Sequence, residues 1–411
     1  MARTVHVIGA GLSGLAAAIR LADSAKVAVH EAAGQPGGRC RSYYDAATGL
    51  VIDNGNHLVL SGNKAALSFL QTVGTEDRLV GPAHAEFPFA DLASGERWTL
   101  RLSDGRLPWW VLNANDGVPG TRALDYARYA PLLWASGDKT VCDVVPCNGA
   151  LYQRLMQPLL LAALNIDPRE GSAALASEIV RETLAAGGLA CRPLIARQGL
   201  STAFIEPAIE YLQQRGASVQ LSHELRGFGF EGGRIASLDF GSEQIALGAE
   251  DAVVLAVPPY AAASLLPELT VPTEFRAIVN GHFRVDPPAG CPPIIGVINA
   301  TTEWIFAFEG RLSVTISSGD RLLNEPREQL ANTIWKEVCA VTGASGDLPR
   351  WQIVRERRAT FAATPQQNAR RPKAETAWRN LFLAGDWTAT GLPATIEGSI
   401  RSGFRAAELL T

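Results

Sequence analysis

The sequence predicts an α/β fold (α+β over its full length), with a parallel sheet crossed by helices joined to a second domain of mixed sheet and helix. Three stretches predict it. The apolar run Val5-His6-Val7-Ile8 enters Gly9-Ala10-Gly11-Leu12-Ser13-Gly14 and leaves through the helical Leu15-Ala16-Ala17-Ala18-Ile19-Arg20-Leu21. Asp251-Ala252-Val253-Val254-Leu255-Ala256-Val257 is continuously apolar after its first residue and is stopped by Pro258-Pro259. That is how a strand covered on both faces reads. Leu381-Phe382-Leu383-Ala384 forms a third apolar run and ends in Gly385-Asp386.

The first stretch is strand, glycine turn and helix, the context that gives a Gly-x-Gly-x-x-Gly pattern chemical meaning. Gly9 permits the tight turn, Gly11 lets backbone approach a pyrophosphate, and Gly14 lets helix and strand pack closely. The helix N-terminus then presents N–H groups and positive dipole to phosphate. Lys26-Val27-Ala28-Val29-His30 reads as the next strand, with Glu31 at its end. An acid about 20 residues beyond the first glycine takes ribose hydroxyls. Gly34-Gln35-Pro36-Gly37-Gly38-Arg39 follows, with glycines for close approach and a cation for phosphate. Together these predict a Rossmann-like dinucleotide-binding domain.

Further along, Asp53-Asn54-Gly55-Asn56-His57 precedes a helix over 64–73. Phe87, Phe89, Trp98, Leu100 and Leu102 indicate short strands, and helices are expected over 157–165 and 173–185. Gly199-Leu200-Ser201 opens a helix to 214 with Ser201 as its N-cap, before a strand over 217–221. Ala277-Ile278-Val279-Asn280-Gly281-His282-Phe283 alternates, placing Ile278, Asn280 and His282 on one face. Pro393 and Thr395 stand near the start of the last helix. The cofactor domain is expected in three pieces, 1–78, 196–260 and 372–411. The substrate domain fills 79–195 and 261–371.

At 411 residues the chain is long enough for two domains. Its 37 basic and 41 acidic residues leave a net charge of -4, with no basic footprint for nucleic acid. Cys40, Cys142, Cys147, Cys191, Cys291 and Cys339 show no metal-ligand spacing and are expected as reduced thiols in the cytoplasm. No metal is expected. The N-terminal apolar run is needed as a strand and does not read as a signal peptide. No run reaches the length of a membrane span.

The ordered set of glycine turn, Glu31 and Gly-Gly-Arg resembles the FAD-binding amine oxidase and phytoene desaturase superfamily. Within it, "LFLAGDWTATGLPATIEGSIRSGFRAA" (381–407) resembles the signature of the squalene-associated FAD-dependent desaturases, the hydroxysqualene dehydroxylases. "DNGNHLVLSGNKAALSFLQTVG" (53–74), "QPLLLAALN" (157–165), "VVLAVPPYAAASLLP" (253–267) and "RRATFAATP" (357–365) extend that resemblance along nearly the whole chain. It implies FAD contacts at Gly9, Gly11, Leu12, Ser13, Gly14, Glu31, Ala32, Gly38, Arg39, Leu225, Gly385, Asp386 and Ile396.

The resemblance also implies a reaction, the reductive removal of the allylic hydroxyl of hydroxysqualene to give squalene in squalene and hopanoid biosynthesis. Hydride from flavin N5 would meet an allylic cation. An external electron donor and squalene-synthase-like neighbouring enzymes are implied as partners. For the proton, His57 and His282 are the candidates, because histidine titrates near neutrality; bound water is the alternative. Leu107-Pro108-Trp109-Trp110-Val111-Leu112 and Pro131-Leu132-Leu133-Trp134 either fill the interior or anchor the protein peripherally on the inner face of the cell membrane. A polyene desaturase, an amine oxidase and a non-catalytic flavin or lipid carrier stay open as other readings.

Overall fold

The computed structural model describes residues 3–411. Five strands form an all-parallel sheet in the order Ser218–Gln220, Lys26–His30, Thr4–Ile8, Ala252–Leu255 and Leu381–Leu383. From Thr4–Ile8 the chain moves to one side and later returns on the other. The strand order therefore reverses beside the first strand, and ligands of such sheets bind beyond the strand ends at that reversal. Gly9–Gly14 lies there. Val5, Val7, Val253 and Leu255 are all fully buried, as strands covered on both faces require.

The two ends of the chain meet on one face of this sheet. Helix Ile396–Glu408 packs on helix Leu12–Leu21, and Gly403 makes the approach feasible. A Cβ at Gly403 would stand 2.2 Å from the Ser13 carbonyl oxygen. Beneath the sheet's other edge runs a chain of imidazoles. His6 Nδ1 lies 3.1 Å from His30 Nε2, His30 Nδ1 lies 2.9 Å from His223 Nδ1, and His223 Nε2 lies 2.9 Å from Glu243. One tautomer set satisfies all three contacts, with each ring donating toward Glu243.

The second sheet has seven strands, ordered Trp351–Phe361, Phe275–Phe283, Arg311–Ile316, Trp304–Phe308, Ile294–Ile298, Glu86–Asp91 and Arg97–Arg101. Helix Arg327–Thr342 covers one face, laying Leu330, Ile334 and Val338 at helical spacing into a core with Val279, Phe283 and Ile353. The hairpin Ser42–Asp45/Leu50–Asp53 is bonded to the sheet through Gln352 to Asp45 and Arg311 to the Val51 carbonyl. Phe275–Phe283 is therefore buried on both faces from Val279 onward, and Asn280 and His282 are enclosed at 1% and 0% exposure. A third, small sheet joins Val59–Leu60, Pro193–Ala196 and Leu79–Val80.

Three sequence expectations are corrected. Ser201 is not an N-cap: it lies inside the helical run, and its hydroxyl accepts from Ser42 N at 2.7 Å. The cap comes from Asp53, whose Oδ1 accepts from Leu200 N at 2.8 Å. Cys142 and Cys147 are not reduced but form a disulfide, with Cα atoms 5.5 Å apart. The capped turn Val141–Asp143 bends the chain back and brings the two sulfurs together; the other four cysteines are free. The predicted helices also stop early. Asn165 turns left-handed at φ 53° after Leu164, and Thr183 leaves helical geometry after Glu182.

Candidate functional site

The crevice beyond the parallel strands is built from glycines with different duties. Gly9 has φ 108°, and a Cβ there would meet the Ala256 carbonyl oxygen at 2.6 Å. A Cβ on Gly14 would stand 1.9 Å from the Gly9 carbonyl oxygen. Both glycines are required by the protein itself. Gly11 differs: a Cβ there meets nothing within 4 Å. The space it leaves open lies at the start of helix Leu12–Leu21, which has no side-chain cap and no acid in its first turn. Its orphan amides and positive end are thus left for an anionic ligand.

The second glycine turn docks on the first. Gly37 N donates to the Ala10 carbonyl at 2.8 Å, and Gly38 at φ 54° lies against Gly11. Glu31 closes the crevice at the strand end. Its Oε2 accepts from Ala10 N at 2.7 Å and its Oε1 from Ala33 N at 2.9 Å, so two amides aim the carboxylate. Ala32 is exposed in the same turn. Leu225 is buried near the end of the outer strand, where His223 N donates to the Glu31 carbonyl at 2.8 Å.

The C-terminal piece reaches the same crevice. Arg39 Nη2 pairs with Asp386 Oδ2 at 2.7 Å, a bond across 347 residues, and its Nη1 donates to the Ala359 carbonyl at 2.5 Å. Gly385 is held by Ser402 Oγ, which accepts from its N–H at 2.8 Å. The Trp387 indole folds back so tightly that a Cβ on Gly385 would lie 2.3 Å from Nε1. Trp387 in turn donates to the Val257 carbonyl at 2.9 Å. Thr395 caps the last helix by accepting from Gly398 N at 3.0 Å, which leaves Ile396 at the first helical position.

The two candidate histidines occupy different settings, and no hydrogen bond joins them among the described residues. His57 donates through Nδ1 to the Gly55 carbonyl at 2.8 Å, which fixes the tautomer. Its Nε2 is not among the enclosed, unpartnered atoms. Burial pulls its pKa below the ordinary histidine value and nearby Arg39 adds to this, against the Gly55 carbonyl and Asp53. His282 is sealed in the seven-stranded sheet, with Nδ1 2.9 Å from Ser313 Oγ and Nε2 enclosed without a partner. Burial, and then Arg311, push its pKa down to about 3.

Residues 12–411 match the family described as flavin containing amine oxidoreductase. The chain belongs to this family. It is 63% identical over 412 residues to a hydroxysqualene dehydroxylase of Rhodopseudomonas palustris, covering 100% of this chain and 99% of that protein. It is 60% identical over 410 residues to a hydroxysqualene dehydroxylase of Sinorhizobium fredii, covering 100% and 98%. Among solved structures it is similar to cyclohexylamine oxidase from Brevibacterium oxydans, with a TM-score of 0.70 at 18% identity, covering 100% and 99%. That likeness concerns the fold.

Family membership gives the chain a ligand class, a flavin, and the residues of the glycine crevice fit one: an open Gly11, an uncapped helix end and a carboxylate aimed by amides. Sequence reading missed two residues that tie down the C-terminal piece. Arg371 is buried and donates to the Asp386 carbonyl at 3.0 Å and to Thr390 Oγ1 at 2.9 Å; burial lowers its pKa to about 10, against Asp386. Glu397 is 3% exposed and accepts from Ala65 N at 3.0 Å and Ala66 N at 2.9 Å, capping helix Lys64–Val73. Nothing in their sequence neighbourhoods names these partners, which lie up to 332 residues away.

Proposed function

We propose that this protein is an FAD-dependent hydroxysqualene dehydroxylase, forming squalene from hydroxysqualene. The observation that carries the reading is identity above 60% along the entire chain to a protein of that name. In the reaction the allylic C–O bond breaks, the departing oxygen takes a proton supplied from solvent and leaves as water, and the carbon takes a hydride. FAD supplies the hydride when bound and reduced.

The chain's residues divide the remaining work. Gly11, Leu12, Ser13, Gly14, Gly38 and Arg39 would cradle the pyrophosphate, with Glu31 and Ala32 at the ribose and Leu225 at the adenine. Gly385, Asp386 and Ile396 would hold the flavin end, where the N-terminus of a capped helix stabilises negative charge. His57 is the candidate at the reacting hydroxyl. With Nδ1–H committed to Gly55, its neutral ring offers the Nε2 lone pair to an O–H. Only the imidazolium donates a proton from Nε2.

An apolar cluster that begins one residue after His57 in sequence suits a hydrocarbon substrate. Leu58 packs against Ile195, Ile294, Phe306 and Phe308. On the same cluster lies a cavity of about 250 Å³ lined by Val80, Ile195, Pro293, Ala307 and Phe308, with Arg197 and Glu309. No helix among the described residues is long and apolar enough to cross a membrane. Exposed apolar side chains nevertheless gather in one segment: Trp109 is 63% and Trp134 76% exposed, with Leu107, Leu112 and Leu124 beside them in sequence. Trp110, by contrast, is buried edge-on against Tyr126. This segment is our candidate for peripheral contact with the membrane that holds the substrate. Trp109→Ser/Trp134→Ser should lower recovery with floated vesicles, and unchanged recovery would remove the assignment.

The reaction is tested by anaerobic incubation of the FAD-loaded protein with hydroxysqualene and a flavin reductant. Squalene is the expected product. Failure to form it, together with oxidation of squalene or phytoene by the oxidised protein, would make the chain a desaturase instead.

A further inference from the structure

Asn280 is a fully enclosed carboxamide to which the reading above gives no task. Its Oδ1 accepts from Asn56 N at 3.3 Å, from Asn56 Nδ2 at 3.4 Å and from Thr315 Oγ1 at 2.8 Å. Its Nδ2 donates to the Asn54 carbonyl at 3.4 Å and lies 3.4 Å from where a Gly55 Cβ would be. Asn56 is tied to the same sheet a second time, donating to the Val314 carbonyl and Thr315 Oγ1, both at 3.2 Å. Apart from Thr315, every group Asn280 serves belongs to residues 54–56, the hook that ends in His57.

The hook has no regular secondary structure of its own between the strands Leu50–Asp53 and Val59–Leu60. Its shape must therefore come from outside. The individual bonds from Asn280 to the hook are long, so the hold lies in their number and in the absence of competing water. The Gly55 carbonyl that Asn280 braces from behind is the acceptor for His57 Nδ1. A shift of the hook therefore turns the imidazole with it.

We infer that Asn280 is a positioning residue for the reaction: it locks residues 54–56 onto the seven-stranded sheet and, through the Gly55 carbonyl, sets the orientation of the His57 ring. This rests on the reading of His57 as the group at the reacting hydroxyl. Alanine at 280 leaves the Asn56 amide and the Asn54 carbonyl without their interior partner, which frees the hook while the strands on either side stay paired.

The test compares Asn280→Ala, His57→Gln and the double variant as FAD-loaded enzymes. Backbone hydrogen exchange over residues 54–57 should speed up about tenfold in Asn280→Ala. Its kcat should fall about tenfold with KM within about twofold, the split expected when an interaction is lost in the transition state rather than in binding. The double variant should be no more than about twofold slower than His57→Gln, because residues acting as one unit are not additive. Should Asn280→Ala fail to fold or hold flavin, Thr315→Val removes the 2.8 Å bond to Oδ1 and should give the same exchange change at about threefold amplitude. Unchanged exchange with wild-type kcat, or losses that multiply in the double variant, would overturn the inference. Wild-type activity in His57→Gln alone would instead overturn the reading of His57, and that arm is scored separately.

Discussion

Replacing Gly11 by alanine separates the cofactor from the fold. Gly11 has φ -76° and ψ 176°, an extended conformation that alanine adopts freely, and its Cβ would meet no protein atom within 4 Å. The helix loses a favoured N-cap residue, a cost of roughly 0.5–1 kcal/mol. The unfolded chain loses freedom, a gain of about 0.4–1 kcal/mol. The two nearly cancel, so the apoprotein should melt within a few degrees of wild type. The methyl group instead occupies the space kept open at the helix end. Losing one charge-assisted hydrogen bond to phosphate costs about 1.5–3 kcal/mol. At 1.4 kcal/mol per decade, the FAD dissociation constant should rise about 10- to 150-fold. Fluorescence titration of apoprotein with FAD measures this directly. A dissociation constant within threefold of wild type would refute the placement of the pyrophosphate at Gly11. The control is Gly14→Ala, whose Cβ would stand 1.9 Å from the Gly9 carbonyl oxygen and which should not yield folded protein.

Three further outcomes are expected. Glu397→Ala uncaps helix Lys64–Val73 and removes one of the two carboxylates that pair with Arg401, which keeps Glu182, and should lower stability by about 1–3 kcal/mol in urea unfolding. His30 and His282 are both held near pKa 3 by burial, with His6 and Arg311 respectively the next cause. Because their folded pKa values are depressed, the neutral forms stabilise the fold above the unfolded value of 6.5, and that contribution drains away as pH falls toward 3. Unfolding free energy should therefore drop by about 2 kcal/mol between pH 7 and pH 5.5, and a flat profile would contradict the burial of these rings. Thiol titration in denaturant should find four reactive cysteines before reduction and six after it, as the Cys142–Cys147 bond requires.

Much of the glycine crevice's backbone was legible because its signals are local. The strand Lys26–His30 and the helix Lys64–Val73 fall where their apolar patterns put them. Gly9 and Gly14 carry the steric duties that their spacing implies. What escaped is what depends on partners distant in sequence. Asp53 caps the helix that Ser201 seemed to start, and Glu397 caps one more than 300 residues upstream. Arg371 and Asn280 sit in stretches that carry no motif. The strand Phe275–Phe283 reads as alternating, but a helix and a hairpin cover both of its faces, so its polar residues lie inside. The Cys142–Cys147 pair depends on a turn whose geometry four intervening residues do not announce.

The proposed flavin site requires the two ends of the chain to meet, as the pairing of Arg39 with Asp386 makes them do. The measurement that tests it most directly is the flavin released by denaturing the purified protein, weighed against its protein concentration. One FAD per chain is the predicted result. Colourless protein that takes up no FAD on reconstitution would contradict it.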